Sequence, residues 1–186
     1  MTVPRRLAPV AALGLLLAGC GAGQNAETAN VVPAIPGVDA TAGPVQLLDL
    51  LIPFKADGYP AGSDAPLVVR MVSTADGPVE LTAVTPGPAG VNLVVPGRVA
   101  LHPATPGLPI RIAPHDCRTL VPPTGSYLVA GDLSAALTYG YQVPMRFTFS
   151  GGAAVDVNVP MAPPDYSEGT PLGPSAAPAL CANSNN

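Results

Sequence analysis

The chain has 186 residues, only 11% of them charged, with eight basic residues against twelve acidic ones and a formal net charge of −4. An acidic chain with dispersed basic residues binds nucleic acid poorly, so we exclude nucleic acid as a partner. The 20 glycines and 25 prolines interrupt helices and favour short strands joined by turns.

The first nineteen residues have the features of a secretory signal. Arg5 and Arg6 precede an apolar run over residues 7–19 that is too short to span a membrane. The run ends in Leu16-Leu17-Ala18-Gly19-Cys20, which is typical of a lipobox. It predicts cleavage before Cys20, attachment of diacylglycerol to its thiol and acylation of its new amine with a further fatty acid such as palmitate. A soluble secreted protein cut nearby is the alternative. We expect an extracytoplasmic protein, lipid-anchored to the outer face of the cell membrane.

Composition divides the remainder into three parts. Residues 20–43 are rich in Gly, Ala, Asn, Thr and Pro and predict a flexible tether. Residues 44–161 contain the Val- and Leu-rich runs and predict the folded domain. Residues 162–186 return to Pro, Ala, Ser and Asn and predict a disordered tail.

Short apolar runs predict the strands of the domain. The nearly continuous run over residues 45–52 indicates a strand buried on most of both faces. Residues 67–74 and 79–83 flank the turn signal Asp76-Gly77-Pro78, so we expect them to form an antiparallel hairpin. Further short strands are predicted over three segments, residues 91–95, 99–101 and 110–112.

The clearest alternation comes last, over residues 145–150 and 155–161 on either side of Gly151-Gly152. A three-residue loop over residues 151–153 pairs Phe149 with Val155 and Phe147 with Val157. That register places the apolar side chains on one face, so we predict it over a two-residue turn.

Seven or eight short strands with frequent turns predict an all-β fold. The expected architecture is an antiparallel Greek-key sandwich of the cupredoxin or immunoglobulin-like kind, with a closed barrel as the alternative. Tyr139 and Tyr141 precede the penultimate strand. One of them either fixes a Greek-key corner through its hydroxyl or packs on the rim.

The cysteines and histidines are the candidate site residues. Export places Cys117 and Cys181 in an oxidising compartment, where two thiols left after acylation of Cys20 predict one disulfide. Alternatively, His115 and Cys117 hold a metal, although they supply only two ligands. His102 ends a predicted strand and is either a solvated rim residue or a ligand.

No catalytic motif occurs in the sequence. It has no nucleophile elbow, no P-loop, no zinc-protease helix motif and no dinucleotide-binding glycine motif after a strand. We therefore predict that the chain is not an enzyme.

Met71, Met145 and Met161 fall on apolar strand faces, which predicts core packing.

The hydrophobic spacing over residues 67–84 and 127–161 resembles that of the periplasmic copper chaperones called PCu(A)C. It is most similar to their actinobacterial lipoprotein relatives of the LpqE type. The resemblance implies a cupredoxin-like sandwich and Cu(I) binding through His and Met, including a His-x-Met pair on a late strand. That pair falls on Tyr127 and Val129, which are not soft-metal ligands, and His102 is the nearest candidate for an earlier ligand.

Three hypotheses follow for function. The first is a non-catalytic, lipid-anchored envelope protein without a cofactor that binds another envelope component, whether protein, glycan or lipid. The second is a copper-binding, chaperone-like protein with a shifted site that uses His102, His115 and a methionine. The third is a carrier of a small apolar ligand, which a pocket between the sheets would indicate.

Overall fold

The structure, a computed structural model, describes residues 37–104, 107–123 and 125–164. These ranges form ten strands and a single 3₁₀ turn at Ser150–Gly152, and they contain no helix long and apolar enough to cross a membrane. The strands are β1 (Val38–Ala42), β2 (Val45–Leu51), β3 (Ala65–Ser73), β4 (Val79–Pro86), β5 (Pro96–His102), β6 (Ile110–Ile112), β7 (Cys117–Leu120), β8 (Tyr127–Leu133), β9 (Gln142–Phe149) and β10 (Ala154–Pro160).

The strands form two sheets. One has the order β1-β2-β3-β8-β5, with β7 also paired to β3, and the other has the order β10-β9-β4-β6. All pairings between these strands are antiparallel. The predicted all-β Greek-key sandwich is therefore confirmed, and the described strands form two separate sheets rather than one closed barrel.

Strand β3 is the centre of the first sheet. It pairs with β2 along one edge, and its other edge is shared by β7, opposite residues 69–72, and β8, opposite residues 65–67. Seven of its nine residues are buried, because a strand with neighbours on both edges and the second sheet against one face has little contact with water.

The predicted hairpin between β3 and β4 is wrong. Both edges of β3 are occupied, so β4 crosses to the second sheet and lies between β6 and β9. The turn signal Asp76-Gly77-Pro78 marks a reversal of the chain between sheets. Turn chemistry predicts that the chain reverses but does not determine which strand becomes the neighbour.

The last hairpin forms with a register different from the predicted one. Its three-residue loop is Ser150–Gly152, and Phe147 pairs with Val155 instead of Val157. Gly151 and Gly152 have φ values of 79° and 83°, which glycine adopts without steric cost. The shift is two residues, so the same side chains face the core.

The domain begins before the expected boundary at residue 44. Strand β1, Val38–Ala42, lies inside the segment predicted to be a tether, and it pairs with β2 of the folded domain. The strand predicted over residues 91–95 is instead a loop that makes one bridge, between Leu93 and Gln142. The remainder of the predicted tether and the tail from residue 165 lie outside the described residues, as does the leader.

The core lies between the sheets and is aliphatic with two central phenylalanines, Phe147 and Phe149. Met71, Met145 and Met161 are each at most 3% exposed. Their predicted role in core packing is confirmed.

The hairpin loop supplies a test of backbone strain. Replacing Gly151 with Ala places a Cβ at φ 79°, and we expect a loss of about 1–2 kcal/mol in unfolding free energy. Gly77→Ala is the matched control, because that glycine has open space around it and no positive φ. Urea unfolding of both variants measures the difference, and equal stabilities would contradict the assigned loop conformation.

Candidate functional site

The outward face of the β5–β8 pair carries His102 and the two positions, Tyr127 and Val129, onto which the resemblance maps the copper-ligand pair. The strands are antiparallel, and alternate residues share a face. The outward face consists of three cross-strand pairs, which we call the β5–β8 face: His102 with Tyr127, Ala100 with Val129, and Arg98 with Gly131. The intervening residues Leu101 and Leu128 point into the core.

One end of this face is an aromatic pair. The ring centroids of His102 and Tyr127 are 4.8 Å apart and the rings are tilted by 39°, within the range of favourable ring contacts. His102 is exposed, so water reaches the imidazole, while the tyrosine ring contacts one side of it. His102 therefore lies beside the position to which the resemblance assigned the first ligand of the His-x-Met pair.

The other end of the face is an ionic clasp formed by Arg98 with Asp64 and Asp132. Nε of Arg98 donates to Asp132 Oδ2 at 3.0 Å, and Nη2 donates to Asp64 Oδ1 and Oδ2 at 2.9 and 2.8 Å. The hydrogen bond to Asp64, more than any other contact, raises the pKa of Arg98. The clasp joins the loop before β3 to β5 and β8.

Gly131 makes room for this clasp. A Cβ at residue 131 would lie 2.5 Å from Cζ of Arg98 and 2.7 Å from its Nη2. The guanidinium therefore lies directly over the backbone of β8. The sequence pattern gave no sign of this arrangement, because the two carboxylates come from segments distant from Arg98 along the chain.

The second histidine makes a hydrogen-bond contact of its own. Nε2 of His115 lies 3.0 Å from Oδ1 of Asp76, and both side chains are more than half exposed. The described residues contain no group of three or more His, Cys, Asp or Glu side chains arranged to hold a metal. All three methionines in the described ranges are buried, so no sulfur from them reaches the surface near His102 or His115. The shifted site of two histidines and a methionine is therefore not formed by the described side chains.

Cys117 begins β7, is 4% exposed and is disulfide-bonded. A sulfur in a disulfide is not available as a thiolate ligand, which disfavours the His115–Cys117 metal site. Its predicted partner, Cys181, and the predicted acylation site, Cys20, lie outside the described residues. The pairing of Cys117 with Cys181 stays a prediction.

The tyrosines before β9 lie on the rim. Tyr139 is 60% exposed and Tyr141 is 42% exposed, so neither is a buried corner residue. Among the tyrosines of the described ranges, the buried one is Tyr59, whose hydroxyl donates to the carbonyl of Pro53 at 3.0 Å.

A shallow groove of about 250 Å³ does not fit an apolar-ligand carrier. It has polar as well as apolar lining, and pockets for small ligands are usually larger, roughly 300–1,000 Å³. The groove lies between the loop that follows β4 and strands β9 and β10, lined by Pro88, Ala89, Leu93, Pro144, Met145, Asp156, Val157 and Asn158.

Comparison with known proteins shows the fold class. No protein-family model matches the chain, and no curated protein matches it by sequence. Among solved structures, the copper-bound PCuAC domain from PmoF2 matches with a TM-score of 0.53 and 20% identity, covering 68% of this chain and 99% of that one. The apo PCuAC domain from PmoF1 matches with a TM-score of 0.55 and 21% identity, covering 68% of this chain and 100% of that one.

The apo PCuAC domain from PmoF2 gives a similar result, with a TM-score of 0.52 and 19% identity over 70% of this chain and 99% of that one. The chain thus has the fold of PCuAC domains. The architecture implied by the sequence resemblance is confirmed.

The clasp predicts that a substitution at Gly131 lowers stability through the Arg98 side chain and not through the backbone of residue 131. Gly131→Ala should displace the Arg98 guanidinium, because the new Cβ occupies its place. We expect a loss of stability with Arg98 present and little or none in an Arg98→Ala background, measured as a double-mutant cycle by denaturant unfolding. An equal loss in both backgrounds would show that residue 131 acts through the backbone alone.

Proposed function

We propose that this chain is a non-catalytic copper-binding protein whose site is reduced to His102 on the β5–β8 face. Two observations support the proposal. The fold is shared with a copper-bound PCuAC domain, and His102 lies directly across from Tyr127, the position that the resemblance assigns to a copper ligand. The second observation carries the argument, since an exposed imidazole on the neighbouring strand lies beside that position.

The described residues do not fit a complete site of several His and Met ligands. They offer one exposed imidazole on this face and no exposed thioether. Imidazole is a good copper ligand, but a single protein ligand leaves most coordination positions to water or to a partner. Copper, as cargo, would therefore bind weakly and exchange readily, which suits transfer better than storage.

The second candidate function is binding of another envelope component through surface contact, without metal. It is favoured by the same lack of ligands and by the exposed tyrosines at the end of the sandwich. A copper titration separates the two candidates.

Copper binding is tested by titrating the purified chain with Cu(I) against a chelating competitor. We expect one weak site, and His102→Ala should weaken it by at least about tenfold, equivalent to about 1.4 kcal/mol. His115→Ala is the matched control and should bind as the parent does. Absence of copper binding, or equal binding by the His102→Ala variant, would favour the second candidate.

Location is the other part of the proposal. We infer that acylation of Cys20 anchors the protein to the outer face of the cell membrane, on the basis of the lipobox. Growth with labelled palmitate should label the parent and not Cys20→Ala, and the variant should leave the membrane fraction. Cys181→Ala, which keeps the lipobox, is the control and should remain labelled.

A further inference from the structure

Two loops meet at one end of the sandwich. Residues 87–95 connect β4 to β5 and residues 134–141 connect β8 to β9, so each crosses from one sheet to the other. They are hydrogen-bonded through Gln142, whose N–H donates to Asn92 O at 3.0 Å and whose carbonyl accepts from the Val94 N–H at 2.8 Å. We call these two loops the tyrosine rim.

The tyrosine rim carries the large apolar side chains that the described part of the chain exposes. These are Val91, Tyr139 and Tyr141, exposed by 90%, 60% and 42%. The rim is also uncharged, because residues 85–97 and 133–144 contain no Asp, Glu, Lys or Arg. In an acidic protein, this concentrates apolar exposure on two loops that carry no charge of their own. The nearest charged side chains, those of Arg98, Asp64 and Asp132, are paired with one another.

We propose that the tyrosine rim contacts the lipid–water interface of a membrane. Tyrosine is favoured at that boundary, since its ring enters the apolar layer while its hydroxyl keeps a polar partner. An uncharged surface enters the interface without the desolvation cost of buried ions. The acidic remainder of the domain has no polybasic patch for anionic headgroups, so the contact depends on the rim.

The length of chain before the domain permits this contact on the membrane that holds the anchor, a step that rests on the proposed acylation of Cys20. Sixteen residues separate Cys20 from Gly37, and a segment of that length spans at most about 55 Å. A domain of this size has a radius of gyration of about 14 Å. The domain can therefore turn any of its surfaces toward the bilayer, and contact through the tyrosine rim would favour one of these orientations.

The contact would also orient the candidate copper ligand. Strand β5 runs from Pro96, opposite Leu133 at the rim, to His102, opposite Tyr127, a distance of about 20 Å. With the rim at the membrane, His102 lies at the far end of the domain and faces the aqueous phase. A soluble partner then has access to the imidazole.

The test uses a tryptophan reporter, because the chain contains no tryptophan. Val91→Trp places the reporter on the rim, at a side chain so exposed that the core is not disturbed. Ala113→Trp is the matched control. Ala113 is exposed and follows Ile112, which pairs with Val79 at the end of β4 remote from Pro86 and the rim, about 23 Å away.

Both acylated variants are reconstituted in phosphatidylcholine vesicles that contain a nitroxide-labelled phosphatidylcholine. We expect the Val91→Trp emission to shift to the blue and to be quenched by the nitroxide, and the Ala113→Trp emission to do neither. Adding Tyr139→Ser and Tyr141→Ser to Val91→Trp should abolish the quenching. An unquenched Val91→Trp, or equal quenching of the two reporters, would overturn the proposal.

Two further outcomes are distinguished by the same samples. A concentration-dependent blue shift of Val91→Trp in the absence of vesicles, with dimers by light scattering, would assign the rim to a second copy of the chain and refute the membrane contact. Failure of the protein to float with vesicles would refute the acyl anchor. The rim is then tested by adding the same variants to preformed labelled vesicles.

Discussion

The burial of β3 between strands on both of its edges is the constraint on which the remainder of the fold depends. In its pairing with β2, β7 and β8, the backbone groups of the central strand are hydrogen-bonded to neighbouring strands. Because β8 is aligned by β3, and β5 by β8, the register of the β5–β8 face follows from this one strand. The position of His102 beside Tyr127 is thus determined by the core and not by a loop.

The domain has two ends of different chemistry. The β5–β8 face ends in an exposed imidazole that contacts a tyrosine ring tilted against it, whereas the opposite end carries uncharged crossovers with exposed aromatic rings. The Arg98 clasp lies near the crossovers and joins three chain segments. The length of β5 separates the two ends by about 20 Å, so each can contact a different partner at the same time.

The sequence predicted the strands well where side chains alternate strictly or where the apolar run is continuous. Both segments of the last hairpin and the run that forms β2 are examples. It failed where neighbours are chosen at long range, as for β4, which the Asp76-Gly77-Pro78 turn suggested would pair with β3. Strand β1 was missed because Val38-Asp39-Ala40-Thr41-Ala42 is built from small residues, which are also typical of a linker.

The candidate site shows the same division. The sequence identified His102 as a candidate ligand and showed that Tyr127 and Val129 are not ligand residues, because both conclusions depend only on the residue type at a position. It did not reveal that the rings of His102 and Tyr127 are in contact or that Gly131 lies under Arg98, since both contacts arise from the pairing of β5 with β8. Residue type is local information, whereas pairing is a property of the folded chain.

The last hairpin has a consequence for how its two strands can slide past each other. The expected and observed registers of β9 and β10 differ by two residues, yet both bury the same side chains. A slip of two residues is therefore compatible with the apolar core, whereas a slip of one residue would turn one strand's apolar row toward water. The apolar pattern alone allows both registers, and the conformation of the Ser150–Gly152 loop distinguishes them.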